Sequence, residues 1–294
     1  MSSYAVTEPP ELRIEIQIGR VDLVATDRKD VVVTVSPSNP GRSGDRSATD
    51  RVRVDQVGDT VRITGPSRLN LFGSGDSVDL LVEVPAATMA NIDVKYGSVH
   101  ASGALAACRV NVPYGDVTLE SATRLDLSGG HGEVRVARVA GDAEIGLKSG
   151  SARVGRVDGT VRLSGSDASV RVDFVGSTAD ITTSSGAVEL GRAGGSVRVR
   201  SAYGMVRIGE LARGSARIDG SYGGVDVGIR RGASVWLDAV SQHGVVRTDL
   251  AASTGPAAES DDTLELHVRT GYGDITIHRS DPLVPPEGSP PAAW

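Results

Sequence analysis

Ala143-Glu144-Ile145, Ala152-Arg153-Val154, Val161-Arg162-Leu163, Val170-Arg171-Val172, Ala179-Asp180-Ile181, Val188-Glu189-Leu190, Val197-Arg198-Val199 and Val206-Arg207-Ile208 follow one another at intervals of nine residues within residues 141–227. Each triplet is apolar, polar, apolar, the alternation of a strand with one buried face. Two kinds of spacer alternate between the triplets. One carries a glycine corner: Ser149-Gly150, Ser185-Gly186, Tyr203-Gly204, Tyr222-Gly223. The other carries an apolar residue: Val139, Val157, Val175, Ala193, Leu211. Two unlike corners make the true repeat eighteen residues. A meander of hairpins would repeat one kind of turn and need a second layer to cover its sheet. The spacing therefore predicts an all-β, single-stranded β-solenoid (β-helix) with about 18 residues and two short strands per coil. One coil cannot bury its own apolar face, so coils must stack, in register, about 4.8 Å apart. About ten coils give a rod on the order of 50 Å long.

Outside this stretch the pattern weakens but persists. Leu12 to Ile18 alternates strictly, Val31 to Val35 and Val78 to Val84 read as strands, and Pro85 ends the latter. From Ile92 to Val136 the triplets become regular, and after Ile218 the period loosens before a last coil at Leu264–Ile277. Residues 1–10 read as a flexible N-terminus. Residues 11–88 read as an N-terminal β-strand cap region, with mobile loops at 36–50 and 68–76, the latter folding Leu69, Leu71 and Phe72 inward. Residues 89–280 hold the repeats, with a polar insertion at 251–262, and 281–294 is a Pro-rich tail expected to be disordered. No window carries apolar residues at helical spacing for three turns, so no helix is expected.

Composition narrows the function. The net charge of −6 is spread along the chain, and the three lysines (Lys29, Lys95, Lys148) form no basic block, which argues against nucleic acid. The single cysteine, Cys108, reads as a buried core residue. The first ten residues lack a basic start and an apolar run, and no segment approaches the roughly 20 apolar residues of a membrane span, so the expected location is cytoplasmic. The five histidines have no paired ligand spacing, and the corner aspartates are too scattered for repeat-borne Ca²⁺, so no metal or cofactor is implied. The outward carboxylates alternate with arginine rather than clustering in one groove, which speaks against an enzyme.

The glycine corners define one further feature, a column: Tyr96, Tyr114, His131, Ser149, Ser166, Ser185, Tyr203, Tyr222, His243 and Tyr272. Tyr96, Tyr114, His131, Tyr203, Tyr222, His243 and Tyr272 make it two aromatic patches, the candidate interaction column. Stacked rings stabilise such a ladder. Exposed ones also suit a protein partner or a sugar.

The corner motif Tyr-Gly-x-Val, seen as Tyr96-Gly97-Ser98-Val99, Tyr114-Gly115-Asp116-Val117, Tyr203-Gly204-Met205-Val206, Tyr222-Gly223-Gly224-Val225 and, with Ile, Tyr272-Gly273-Asp274-Ile275, together with the Val-Glu-Val-Pro strand ending at Pro85, resembles the bacterial putative-adhesin family of β-strand-repeat domains of unknown function. The resemblance spans about residues 10–280. It implies the repeat fold, and adhesion as one role. The residues themselves point to a non-enzymatic scaffold or protein-interaction module, self-associating where a coil end is left uncapped. The alternatives are an adhesin-like or carbohydrate-binding module using the Tyr column, and a polysaccharide-acting enzyme.

Overall fold

The computed structural model describes residues 2–6, 9–66, 76–250 and 263–280. The expected insertion at 251–262, the inward Leu69, Leu71 and Phe72, and the Pro-rich tail lie outside the described residues. What is described is all-β with one short helix, and its strands belong to a single mixed sheet of 20 strands.

The N-terminal part comprises β1 (Ser2–Ala5), β2 (Glu11–Thr26), β3 (Asp30–Pro37), α1 (Ser43–Arg51), β4 (Arg53–Val57), β5 (Thr60–Thr64) and β6 (Val78–Pro85). The long strands β7 (Met89–Tyr114), β8 (Val117–Val139), β9 (Ala143–Val157) and β10 (Val161–Val175) follow. Beyond them the corners split the chain into β11 (Ala179–Ser185), β12 (Val188–Ala193), β13 (Val197–Tyr203), β14 (Val206–Leu211), β15 (Gly214–Tyr222) and β16 (Val225–Ile229). The last strands are β17 (Ser234–His243), β18 (Val246–Thr248), β19 (Thr263–Tyr272) and β20 (Ile275–Arg279).

The eighteen-residue period is realised as parallel, in-register pairing. Leu125 pairs with Ala143, Val161 with Ala143 and Ala179, and Val170 with Ala152 and Val188. The first and third residues of each triplet are buried: Ala143, Ile145, Val161, Leu163, Ala179 and Ile181 are at most 2% exposed. They form one continuous core with the spacer residues Val139, Val157, Val175, Ala193 and Leu211. The middle residues point outward in the expected order, Asp126, Glu144, Arg162, Asp180, Arg198, Arg217 on one row and Arg135, Arg153, Arg171, Glu189, Arg207, Asp226 on the other. The corner glycines have a steric cause. Gly115 adopts φ +141°, and a Cβ there would lie 1.5 Å from the Gly97 carbonyl oxygen. The Gly97 and Gly115 corner backbones thus approach too closely for a side chain at Gly115.

Three expectations need correction. Residues 2–5 are not a loose end: β1 pairs antiparallel with β3, and the Ser3 hydroxyl donates to the Asp30 carboxylate at 2.7 Å. The expected mobile loop at 36–50 contains α1. Only Ala48 of this helix packs inward with the core, too little for a helical apolar period to be visible. It is held instead by the buried carboxylate of Asp45, which accepts the backbone N–H groups of Asn39 (3.0 Å) and Ser77 (3.1 Å). The third correction concerns the order of the last turns. β15 pairs with β19, and β17 pairs with the far side of β19. Likewise β16 and β18 flank β20. The final segment of the described chain, 263–279, therefore fills the rung next to 214–229, and the earlier segment 234–248 lies beyond it. The outward row continues from Arg217 to His267 and Asp238.

Side chains explain this inversion. The inward residues of 263–279 are Leu264, Leu266, Val268, Ile275 and Ile277, all 0% exposed. Position by position, Val235, Ala239, Val246 and Thr248 are smaller or more polar than their register partners Leu264, Val268, Ile275 and Ile277, while Ser241 is matched by Thr270. The more apolar segment takes the position covered on both sides, where each buried CH₂ contributes about 0.8 kcal/mol. The chain between β16 and β17 must then step over a rung, and Arg279 holds that step. Its guanidinium donates to the carbonyls of Arg230 (2.9 Å) and Ala233 (3.1 Å).

Candidate functional site

The in-register ladder brings the corner column together, with two changes from the sequence reading. Asp167, not Ser166, pairs with Ser149 and Ser185. That corner lacks glycine, since Ala168 stands opposite Gly150, so no dipeptide marks its phase. At the far end the order is Tyr203, Tyr222, Tyr272, His243, because 263–279 is interposed. The column thus reads Tyr96, Tyr114, His131, Ser149, Asp167, Ser185, Tyr203, Tyr222, Tyr272, His243.

Its aromatics form two ladders. Tyr96 and Tyr114 stack with centroids 4.9 Å apart and planes 6° from parallel, and Tyr114 stacks on His131 at 5.3 Å. Tyr203 stacks on Tyr222 at 5.0 Å and 3°, Tyr222 on Tyr272 at 4.9 Å and 1°, and Tyr272 on His243 at 4.5 Å. These distances match the strand spacing of about 4.8 Å, so the sheet itself sets the stack. One chemical consequence follows. An inner ring has both faces covered by its neighbours and offers solvent its edge and its hydroxyl. Free ring faces remain only where a ladder stops. Tyr203 stops one ladder against Ser185 and is 57% exposed, against 47% for Tyr222 inside it. His131 stops the other against Ser149, with its Nδ1 2.7 Å from the Ser149 hydroxyl. Between these two rings lies a gap floored by Ser149, Asp167 and Ser185.

The outward charges are mostly answered within the protein. Arg109 donates to Asp126 at 2.9 Å, and Arg171 reaches both Asp173 and Glu189 at 3.0 Å. Arg135 and Arg153 share Glu133. Arg156 and Arg138 share Asp158, whose carboxyl is held below its usual range chiefly by the Arg156 hydrogen bond. Arg156 also lies 4.2 Å above the Phe174 ring. Two shallow grooves of about 350 and 410 Å³ cross these rows. Both are lined by mixed signs, with Arg109, Asp126, Glu144 and Arg162 in the first and Arg135, Glu120, Arg171 and Asp173 in the second. Cys108 is 2% exposed, and burial pushes its thiol up to about 12, so it packs rather than reacts. Among the described residues no group of three or more His, Cys, Asp or Glu is placed to hold a metal ion. No helix among them is long and apolar enough to cross a membrane.

Sequence reasoning missed a second polar cluster. Glu210, 7% exposed, accepts from Arg230 at 3.2 Å and from the Ser280 hydroxyl at 3.2 Å, and Arg192 approaches it to 3.0 Å. Glu210 and Ser280 are 70 residues apart, and no local pattern links them. The cluster ties the stepped-over rung to the regular ladder and is structural.

An all-β ladder with glycine corners, stacked corner rings and internally paired charges defines a β-strand-repeat protein. More particularly, the chain belongs to the Toastrack DUF4097 family, whose model matches residues 11–281. Solved structures similar to it include a putative adhesin from Bacteroides fragilis, 12% identical over 94% of this chain and 95% of that one, with a TM-score of 0.37. A putative cell adhesion protein from Clostridium sporogenes is 10% identical over 95% and 98%, TM-score 0.26. A putative lipid binding protein from Parabacteroides distasonis is 10% identical over 95% and 96%, TM-score 0.34. No curated protein matches the chain.

Proposed function

We propose that this protein is a non-catalytic, cytoplasmic scaffold that engages a protein partner through its corner column. The eighteen-residue units are read as closed coils of a β-solenoid, with residues 11–88 as the N-terminal cap. The observation that carries the functional reading is the pair of aromatic ladders, rigidly spaced, half exposed and edge-on to solvent. Tyrosine offers a partner large contact area and a hydroxyl while losing little rotamer freedom, which is why it is enriched at interfaces. The charged rows flanking the column mix both signs and several of their charges are paired internally, so they keep the protein soluble without presenting a surface of one sign.

Cross-linking from the intact cell, with purified candidates then titrated directly, tests this reading. A partner bound by the wild-type chain and lost on Tyr203→Ala with Tyr222→Ala, while the β-sheet circular dichroism is unchanged, supports it. A partner indifferent to both changes sinks it.

A carbohydrate-binding role is the second reading, and the gap between the ladders favours it. Two ring faces at the ladder ends, on His131 and Tyr203, bracket a polar floor where the Asp167 carboxylate can accept hydrogen bonds from sugar hydroxyls while the rings stack on a sugar face. A glycan array with Asp167→Ala and Tyr203→Ala as controls separates the two readings. A hydrolase and lyase screen addresses catalysis.

A further inference from the structure

Two segments fit the place beside 214–229, because all three share one phase. In 214–229 an inward residue, the corner and a second inward residue fall at Ala216, Tyr222-Gly223 and Val225. The same marks fall at Leu237, His243-Gly244 and Val246 in 234–248, and at Leu266, Tyr272-Gly273 and Ile275 in 263–279. Nine residues separate the two inward marks in each segment. The register shows the equivalence. Ala216 and Leu237 flank Leu266, and Val225 and Val246 flank Ile275. The corners are also built alike. A Cβ at Gly273 would meet the Gly223 carbonyl oxygen at 2.3 Å, and one at Gly244 would meet that of Gly273 at 2.1 Å.

Without 263–279 between them, 234–248 would meet 214–229 with no change of register, and the contact would be complementary in charge. Arg217 and Asp238 both flank His267, so they would become direct neighbours. Asp226 and Arg247 both flank Thr276, and they would likewise meet. Opposite charges directly across neighbouring strands are favourable. In the observed order a full rung separates each pair. Arg217 then binds Asp219 of its own strand, and Arg247 binds Asp274. On the inner side Leu237, Ala239, Val246 and Thr248 would stand beside Ala216, Ile218, Val225 and Val227.

Chain connection favours that contact first. Residues 212–213 carry the chain from β14 to β15 in the adjacent rung, whereas residues 230–233 carry it from β16 over a whole rung to β17. Segment 234–248 also leaves the ribosome before 263–279, and a chain folds as it is made. What opposes this order arrives later. The segment 263–279 is the more apolar, and Arg279 on the Arg230 and Ala233 carbonyls and Ser280 on Glu210 belong to the inserted order. Proximity chooses one neighbour for 214–229, and apolar content chooses the other.

We propose that 234–248 first docks directly on 214–229 and that 263–279 then inserts between them, so that these two rungs form a two-state element. The exchange keeps the register: contacts of β15 with β17 and of β16 with β18 open, and the β15–β19 and β16–β20 pairs close. Two packings of one sequence that differ little in stability are the basis of such switches. On the surface the exchange reorders the second aromatic ladder. Before insertion His243 stands next to Tyr222. After it Tyr272 stacks on Tyr222, and His243 stacks on Tyr272. This is independent of whether the aromatic ladders bind anything.

Disulfide trapping in the full chain during refolding tests it, in a Cys108→Ala background that removes the single native thiol. Asp219, Arg269 and Val240 hold one outward position in three successive rungs. Asp219→Cys with Val240→Cys marks the early order, since two rungs, about 10 Å, exceed the roughly 7 Å Cα separation that a disulfide spans. Asp219→Cys with Arg269→Cys marks the inserted order. In samples oxidised at successive times after dilution from denaturant, the first pair should close early and fade while the second rises. Ala239→Val with Thr248→Ile brings 234–248 closer to its rival in apolar content without emptying the core. It should shift the equilibrium sample towards the first pair, with the β-sheet circular dichroism retained. A first pair that closes no more than in the denatured chain, two pairs that rise together from the earliest time, or an equilibrium unmoved by the two substitutions would overturn the proposal.

Discussion

The middle of the molecule, β9 to β12, and its last turns, β15 to β20, are made of the same triplets and behave differently. In the middle, order along the chain is order in space, each segment lying eighteen residues from its neighbour. In the last turns the offsets become fifty residues, from Ala216 to Leu266, and twenty-nine, from Leu237 back to Leu266. Where the spacing is constant, chain connectivity chooses the neighbour. Where it loosens, the apolar content of the competing segments chooses, and 263–279 wins the interior place. The regular region is therefore rigid by redundancy, and the irregular one holds together through a few specific contacts, Arg279 on the Arg230 and Ala233 carbonyls and Glu210 with Ser280 among them.

The sharpest way to break that contrast is at glycine. Gly150, in the middle, has φ +122°, and a Cβ there would meet the Gly132 carbonyl oxygen at 2.0 Å. Gly232, in the turn before β17, has φ +88° with open space around its Cβ position. Gly150→Ala should cost on the order of 3 kcal/mol or more, combining backbone strain with forced separation of rungs. Gly232→Ala should cost about 1–2 kcal/mol, from the left-handed conformation alone. Chemical denaturation measures both, and equal losses would refute the close-approach argument.

Core truncation comes next. Ile181→Ala, at a fully buried middle position, should lose about 2–5 kcal/mol. Leu237→Ala, half-buried in the outermost rung, should lose under about 1.5 kcal/mol, since part of its surface is already in water. The aromatic ladders come third. Tyr222 has a ring on each side and Tyr203 has one. At about 0.5–1.5 kcal/mol per stacked pair, Tyr222→Leu should lower the unfolding midpoint more than Tyr203→Leu. The reverse order would mean that the rings are passengers of the sheet.

The smallest effect is a pH dependence confined to the last turns. His267 is raised above its usual value, first by its hydrogen bond with Glu265 (2.9 Å) and then by Asp238. For His278, burial works to lower it, and the Arg279 carbonyl and Asp226 outweigh that and raise it. A raised folded-state value means the stabilisation is complete below the ordinary histidine value of 6.5 and fades as pH rises through the folded-state value. Amide exchange in β17–β20 should therefore quicken from pH 6 towards neutrality, after correction for intrinsic rates, with β9–β12 unchanged. His267→Gln should flatten part of that slope. A slope equal in both regions would assign it to the molecule as a whole.

Much of the ladder was legible because its cause is local and repeated. Val, Ile and Ala at both ends of each triplet, and Tyr-Gly at the corner, mark strand, face and turn without reference to anything distant. The in-register neighbours of Asp126 through Arg198 follow from counting, and the Tyr-Gly and His-Gly dipeptides mark the aromatics of the column. Counting failed at Asp167, where the corner has Ala168 instead of glycine and the phase has no marker. It failed at α1, whose position depends on Asp45 accepting two backbone N–H groups from other segments. It failed at β1, four residues whose strand character comes from the partner β3.

By itself, then, the sequence determined the period, the inward and outward sides, and the aromatic residues that line the corner. Only the tertiary structure decided which rings touch, which ring faces stay free, and which rung is last. The reason is that the first group depends on each residue's own chemistry relative to its near neighbours. The second depends on competition between segments for a buried place, as between 234–248 and 263–279, and on approaches such as Glu210 to Ser280 that no spacing encodes.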